Sequence, residues 1–258
     1  VSGIIGAVPV RDRAGNEFTV ASFNLERFFD DEDDPEISEP VLTTAAYDNR
    51  LAKASLAIRD VLGTPDILGV VEVENLATLQ DLADKINADA VAASDPDPQY
   101  DAYLEEGNDI GGIDVGFLVK STRVTNVVVT QEGKATTYIN PTTSSPDILN
   151  DRPPLVLEGD VVTPDAELFP ITVIVNHLRS LSGIDADTDN GHRVRTKRRA
   201  QAEYLASLVQ ARQTADSEER IVLVGDFNAF EVNDGYVDSI ATIVGSPTPA
   251  DEVVLASS

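Results

Sequence analysis

Cysteine, methionine and tryptophan are all absent from this chain of 258 residues. Without cysteine there are no disulfides and no thiolate metal sites, and the redox compartment stays open. Without methionine the natural start residue is missing, which reads as a processed mature form or a piece of something longer. No run of eighteen apolar residues occurs, so no stable membrane insertion is expected. The N-terminus also lacks the charged-then-apolar layout of a signal peptide. Positive charge is scarce: Lys and Arg together number 19 against 45 Asp and Glu, for a formal net charge of −26. Such a surface repels nucleic acid and anionic membranes at long range, so a polyanionic substrate needs a local basic strip or bridging metal ions. Salt or millimolar divalent cations would screen that repulsion, which suits an extracellular, cell-surface or saline setting.

What is present alternates between aliphatic strands and helical stripes, the pattern of an α/β domain. Phe18 to Asn24 reads as a strand, after a short N-terminal extension over residues 1–17. The acidic run from Asp30 to Glu36 lacks the regular spacing of a calcium loop and reads as solvated. Leu51, Ser55, Ile58 and Leu62 make a helical stripe over 47–62, closed by Gly63-Thr64-Pro65. Residues 66–74 form a strand that is aliphatic until Glu72. A carboxylate there is costly to bury unpaired, so Glu72 should meet a cation or lie in water. Leu76, Leu79, Leu82, Ala83 and Ile86 give a second helix. Tyr100–Leu104 is a short strand, and residues 113–119 and 124–130 read as a hairpin, which makes the sheets mixed. Residues 136–150, rich in Thr, Ser, Pro and Asn, read as a long loop.

Arg152 stands at the mouth of the next strand. Ile171–His177 is a buried strand ending in one of two histidines, a position that suits a structural or a catalytic imidazole. His192 opens a helix to about Arg212 whose first turns carry Arg193, Arg195, Lys197, Arg198 and Arg199. That is the one plausible strip for a polyanion, or else a face paired with the acidic surface. Ile221–Val224 reads as a strand buried on both faces. Beyond it Gly225-Asp226-Phe227-Asn228 sets a carboxylate and an amide on one side, with Phe227 turned to the core. The pair suits a hard cation and a phosphate, or alternatively a plain Asx turn at a strand end.

Five segments agree in order and wording: Ser22-Phe23-Asn24-Leu25-Glu26, Asp66 to Val73, Gly112 to Leu118, Val175-Asn176-His177-Leu178-Arg179-Ser180 and Gly225-Asp226-Phe227-Asn228-Ala229. Together they resemble the endonuclease/exonuclease/phosphatase superfamily, with the DNase I-like fold, and most of all its secreted bacterial nucleases. The resemblance runs from about Phe18 to the last residue, so one domain over 18–258 is expected. It implies a four-layer α/β (α+β) sandwich of two mixed β-sheets flanked by helices. It also implies metal-dependent phosphodiester hydrolysis on a nucleic acid substrate, DNA or RNA. By that resemblance Glu72 is the principal metal ligand and Asn24 helps hold metal and phosphate. Asp226 activates water, Asn228 fixes the phosphate and His177 hydrogen-bonds a phosphoryl oxygen. Arg152 grips the substrate backbone, and Asp114 lies near the site. The metal is Mg²⁺, with Mn²⁺ or Ca²⁺ as alternatives. A phospholipid or inositol-phosphate phosphodiesterase and a non-catalytic binding module are the other readings.

Three departures stand out. Val71 occupies the place of a usual Gln, Gly111 stands where many relatives carry Arg, and the late Ser-Asp-His motif of the superfamily is missing. The domain is therefore expected to lack its C-terminal strands, with a further segment or another chain completing the sheet.

Overall fold

The computed structural model describes residues 6–249 apart from Glu36, Asp234 and Thr248. The expectations about the chain's end at Ser258 fall outside the described residues. The chain runs through β1 (Val20–Phe28), α1 (Thr44–Leu56) with a π-helical turn (Ala57–Val61), β2 (Ile67–Val73), α2 (Leu76–Ala92) and β3 (Tyr100–Leu104). It continues through β4 (Asp114–Lys120), β5 (Val124–Gln131), β6 (Thr137–Asn140), β7 (Ser145–Ile148), β8 (Leu155–Val162) and β9 (Leu168–His177). The last elements are α3 (Asp189–Ala215), β10 (Ile221–Asp226) and α4 (Ser239–Ile243).

Two four-stranded sheets result, in the orders β1-β2-β4-β3 and β10-β9-β8-β5. Each has one parallel pair at an edge, β1 with β2 and β10 with β9, and antiparallel pairs beyond it. A parallel pair needs a crossover, and α1 and α3 supply the two. Side-chain alternation then divides the apolar residues into three zones. Leu68 and Val70 of β2 face Leu51, Leu79, Leu82 and Ile86 of the helices. Ile67 and Val71 face Leu157, Val173 and Val175 of the other sheet. Val156 and Ile174 on that sheet's far side meet Leu205 of α3. Three buried zones between four layers give the α/β sandwich that the sequence implies. Gly69 lets the sheets close up: a Cβ there would lie 2.6 Å from a methyl of Val224.

Side chains start the helices. Thr43, Asn75 and Thr188 accept hydrogen bonds from Ala46, Thr78 and Gly191, so α3 begins three residues before His192. Other expectations need correction. β4 and β5 are not a hairpin: both edges of β4 are taken, by β2 and β3, and the chain crosses to the second sheet, where β5 pairs with β8. Residues 136–150 are not a plain loop, because β6 and β7 pair with each other and bury Tyr138 and Asn140. Strands of four residues, half of them polar, carry too little periodicity to read. β10 is half-buried along its length rather than enclosed, because among the described residues it is the edge strand of its sheet, with a groove of α3 and α4 beside it.

At the sheet end where β2 starts, Asp66 is fully buried. It accepts from the Thr19 backbone N–H at 3.0 Å and sits 3.5 Å from Arg13, 3.5 Å from Arg123 and 3.9 Å from Lys120. Removing one member of a buried ionic group strands the others. Asp66→Ala is therefore expected to lower unfolding stability by about 3–5 kcal/mol, read as a lower denaturant midpoint at unchanged slope.

Candidate metal centre at the strand ends

β1, β2, β9 and β10 all run toward one mouth of the sandwich, where Asn24, Glu72, His177 and Asp226 converge. In β10 and β9, Asp226 pairs in register with His177, and the alternation that turns Val224 and Val175 between the sheets turns both of these the same way. In β2 the alternation alone would aim Glu72 at the helix-facing core. A β-bulge prevents this: Val71 pairs with Val115 and Val73 with Asp114, so Glu72 is the extra residue, with φ +63°. Val73 takes the helix-facing position instead, and Glu72 swings to the mouth. β1 is irregular at the same level, where Leu25–Arg27 stand opposite Glu72 alone and Glu26 and Arg27 have φ of +55° and +57°. Left-handed non-glycine residues cost of order 1–3 kcal/mol each and persist where surrounding contacts hold them. Those contacts exist. The Arg27 N–H donates to Glu72 Oε2 at 3.0 Å, the Glu26 N–H to Asn24 Oδ1 at 2.8 Å, and Arg50 to the Leu25 and Glu26 carbonyls.

Asn24 ties the two carboxylates together. Its Nδ2 donates to Glu72 Oε1 at 3.0 Å and to Asp226 Oδ2 at 3.2 Å. Glu72, His177 and Asp226 each offer one ligand atom, and these atoms lie within 4.8 Å of one another. Among the described residues no Lys or Arg pairs with either carboxylate, and His177 Nε2 lies 3.8 Å from Glu72 Oε1. Burial, and after it the positive Arg152, push the His177 imidazole down to about 4, against the opposing pull of Asp226 and Asp109. The ring is neutral at neutral pH and adds no cation of its own. Two carboxylates and a neutral imidazole are a donor set for a hard divalent ion. The atoms of Glu72, His177 and Asp226 lie close enough for an ion held by Glu72 to have the other two beside it.

Three sequence-predicted residues stand around this group rather than in it. Asn228 has φ +48°, its N–H donates to Asp226 Oδ1 at 2.8 Å, and its amide donates to the Leu178 carbonyl at 3.0 Å. The Asx turn and the acidic site are thus the same structure. Phe227 turns to the α3 side, as alternation requires. Arg152 is nearly enclosed and holds Asp109 at 2.6 Å and the Leu178 carbonyl at 3.3 Å. Asp114 is buried beside the bulge, with Oδ1 accepting from the Gly107 N–H at 2.8 Å. Burial and then Glu106 raise its carboxyl to about 8, the Gly107 hydrogen bond working the other way.

The basic strip on α3 is a correction. Arg195, Lys197 and Arg198 are buried. Arg195 donates to the Ile184 and Ala186 carbonyls, Lys197 to Asp151 at 2.7 Å, and Arg198 to the Arg179 and Asn228 carbonyls. Gln201 accepts from the Arg179 N–H and donates to the Leu149 carbonyl. Buried cations are tolerable when carbonyls and carboxylates meet them, and here they anchor the loops that carry the site. The legible signal was a stripe of helical spacing, Val194, Arg198, Gln201, Ala202 and Leu205, with polar residues in core positions.

The profile of the endonuclease/exonuclease/phosphatase family matches residues 19–246, and the chain belongs to that family. Members of this family are hydrolases acting on phosphoester bonds, typically with a divalent metal. No curated protein is a significant match. Among solved structures, truncated Caenorhabditis elegans TDP2 is 18% identical over 72% of this chain and 60% of that one, at a TM-score of 0.42. An endonuclease/exonuclease/phosphatase from Bacteroides vulgatus is 15% identical over 76% and 62%, at 0.45. A hairpin deletion mutant of Staphylococcus aureus beta toxin is 13% identical over 90% and 72%, at 0.47. The chain thus spans less than two thirds of the first two structures' own length.

Asp114 provides a pH test. Its folded pKa lies above the unfolded value of about 3.9, so the folded state holds a proton that the unfolded state releases. That contribution is complete below about pH 4 and is lost as pH rises through the folded value of about 8. Asp114→Asn, which keeps a neutral acceptor for Gly107, is expected to lose less melting temperature than the parent between pH 5 and 9, measured by thermal unfolding in metal-free buffer.

Proposed function

We propose that this chain is a metal-dependent phosphodiesterase acting on nucleic acid, with Mg²⁺ as its metal, working in an extracellular setting. The observation that carries the reading is the uncompensated pair Glu72 and Asp226, joined by one amide and facing one neutral imidazole. The extracellular part rests on the resemblance to secreted nucleases and on a charge of −26 that salt and divalent ions would screen.

A bound divalent cation supplies charge neutralisation for the phosphoryl oxygens and the leaving oxygen. Glu72 would hold it, with its second oxygen fixed by the Arg27 N–H. Asn24 keeps Glu72 and Asp226 at a set separation by donating one amide hydrogen to each. Asp226 draws the proton from the attacking water, while the Asn228 N–H holds its other oxygen in place. His177, uncharged at working pH, donates a ring N–H to a phosphoryl oxygen as charge develops there. Arg152 places a fixed positive charge behind His177, restrained by Asp109.

The test is cleavage of supercoiled plasmid in millimolar Mg²⁺, against EDTA. The Asp226→Asn variant is expected to cut about 10²–10⁴ times more slowly, and Glu72→Gln to need far more Mg²⁺ for the same rate. Cleavage that survives EDTA, or Asp226→Asn cutting at the parent rate, would overturn the reading.

A further inference from the structure

We propose that a second anion subsite adjoins the metal centre and takes a neighbouring phosphate of the same nucleic acid strand, with Arg50 and Lys53 as its cations. This inference rests on the function proposed above for the substrate class alone.

A cavity of about 560 Å³ opens between the end of β1 and α1. Asn24 lines it, so the residue that joins the two carboxylates also borders this space. Arg50 and Lys53 project into it from α1 against one carboxylate, Glu26. Its lining is therefore net positive in a chain of charge −26. Five other cations are consumed internally: Asp66, Asp151 and the loop carbonyls take Arg13, Lys120, Arg123, Lys197 and Arg198. Lys53 is exposed, and Arg50 is half-buried with a defined pose.

That pose links the cavity to the site. Arg50 Nη2 donates to the Glu26 carbonyl at 2.6 Å, and the N–H of the same peptide unit, on Arg27, donates to Glu72 Oε2 at 3.0 Å. One planar peptide thus separates the guanidinium from the metal-binding carboxylate, a span of at most about 8 Å. The guanidinium also lies 5.5 Å from the Phe28 ring centroid. Among the described residues its Nε and Nη1 carry no hydrogen bond, which leaves donors for a phosphate oxygen. Phe23, Phe28 and Ala54 give the cavity an apolar wall suited to a sugar or base face. A strand lying across the mouth would place one phosphate at Glu72 and the next against Arg50 and Lys53.

The experiment is a fluorescence-anisotropy titration of a labelled phosphorothioate oligonucleotide, which resists hydrolysis, in Mg²⁺ across a series of salt concentrations. Lys53→Glu is expected to weaken binding at least tenfold and to make the plot of log K against log salt shallower by about one. Arg50→Ala should weaken it too. Lys85→Glu, an equal charge change on α2, should bind as the parent does. Parent-like binding by Lys53→Glu, equal weakening by Lys85→Glu, or no binding by the parent would overturn the subsite. Binding that depends on Lys53 in a protein unable to cleave plasmid would uphold the subsite and sink the hydrolytic reading instead.

Discussion

Glu72 and Asp226 come from different sheets, more than 150 positions apart in the chain, yet a single amide donates to both. Like charges held this close repel, and among the described residues no Lys or Arg pairs with either of them. The rest of the structure can be understood as what keeps them together. The sheets close over Gly69, Ser22 accepts from the Gly225 N–H across the gap, and Gly225 runs at φ +119° against the Asn176 backbone, where any side chain would collide. Those contacts bring the ends of β1 and β10 into register without help from the acidic groups. Under the function proposed above, cation affinity would be a property of the scaffold, because packing holds the repelling carboxylates in place and a bound ion would relieve them.

Legibility in the sequence follows the kind of force at each position. β2 and β9 are continuous aliphatic runs, and burial on both faces makes such runs plain to read. Glu72, His177 and Asp226 each follow an aliphatic run and Asn24 follows an alternating one, so their convergence at one mouth could be anticipated from order and resemblance. The means of convergence could not. Strict alternation would have put Glu72 among Leu79 and Leu82, and the bulge that saves it depends on pairing with β4, which no local pattern encodes. β10 misled for the opposite reason: four aliphatic residues announce burial but not whether a strand has neighbours on both edges.

The distribution of charge is the other lesson. Composition predicts a surface hostile to nucleic acid and directs attention to the densest run of cations, on α3. The burial of Arg195, Lys197 and Arg198 depends on tertiary partners, loop carbonyls and the Asp151 carboxylate, which the helical stripe alone does not locate. Arg50 and Lys53, separated by two residues on α1, are a weaker signal in composition and a stronger one in place.

α3 reaches three separate segments from one buried face: 149–151 through Lys197 and Gln201, 179–186 through Arg195, Arg198 and Gln201, and Asn228 through Arg198. Each segment abuts a different member of the site, Arg152, His177 and Asp226 in turn. The helix therefore acts as a common axle. The mutual spacing of those three groups is thus set from one helix, whereas their spacing from Glu72 is set by the packed gap between the sheets.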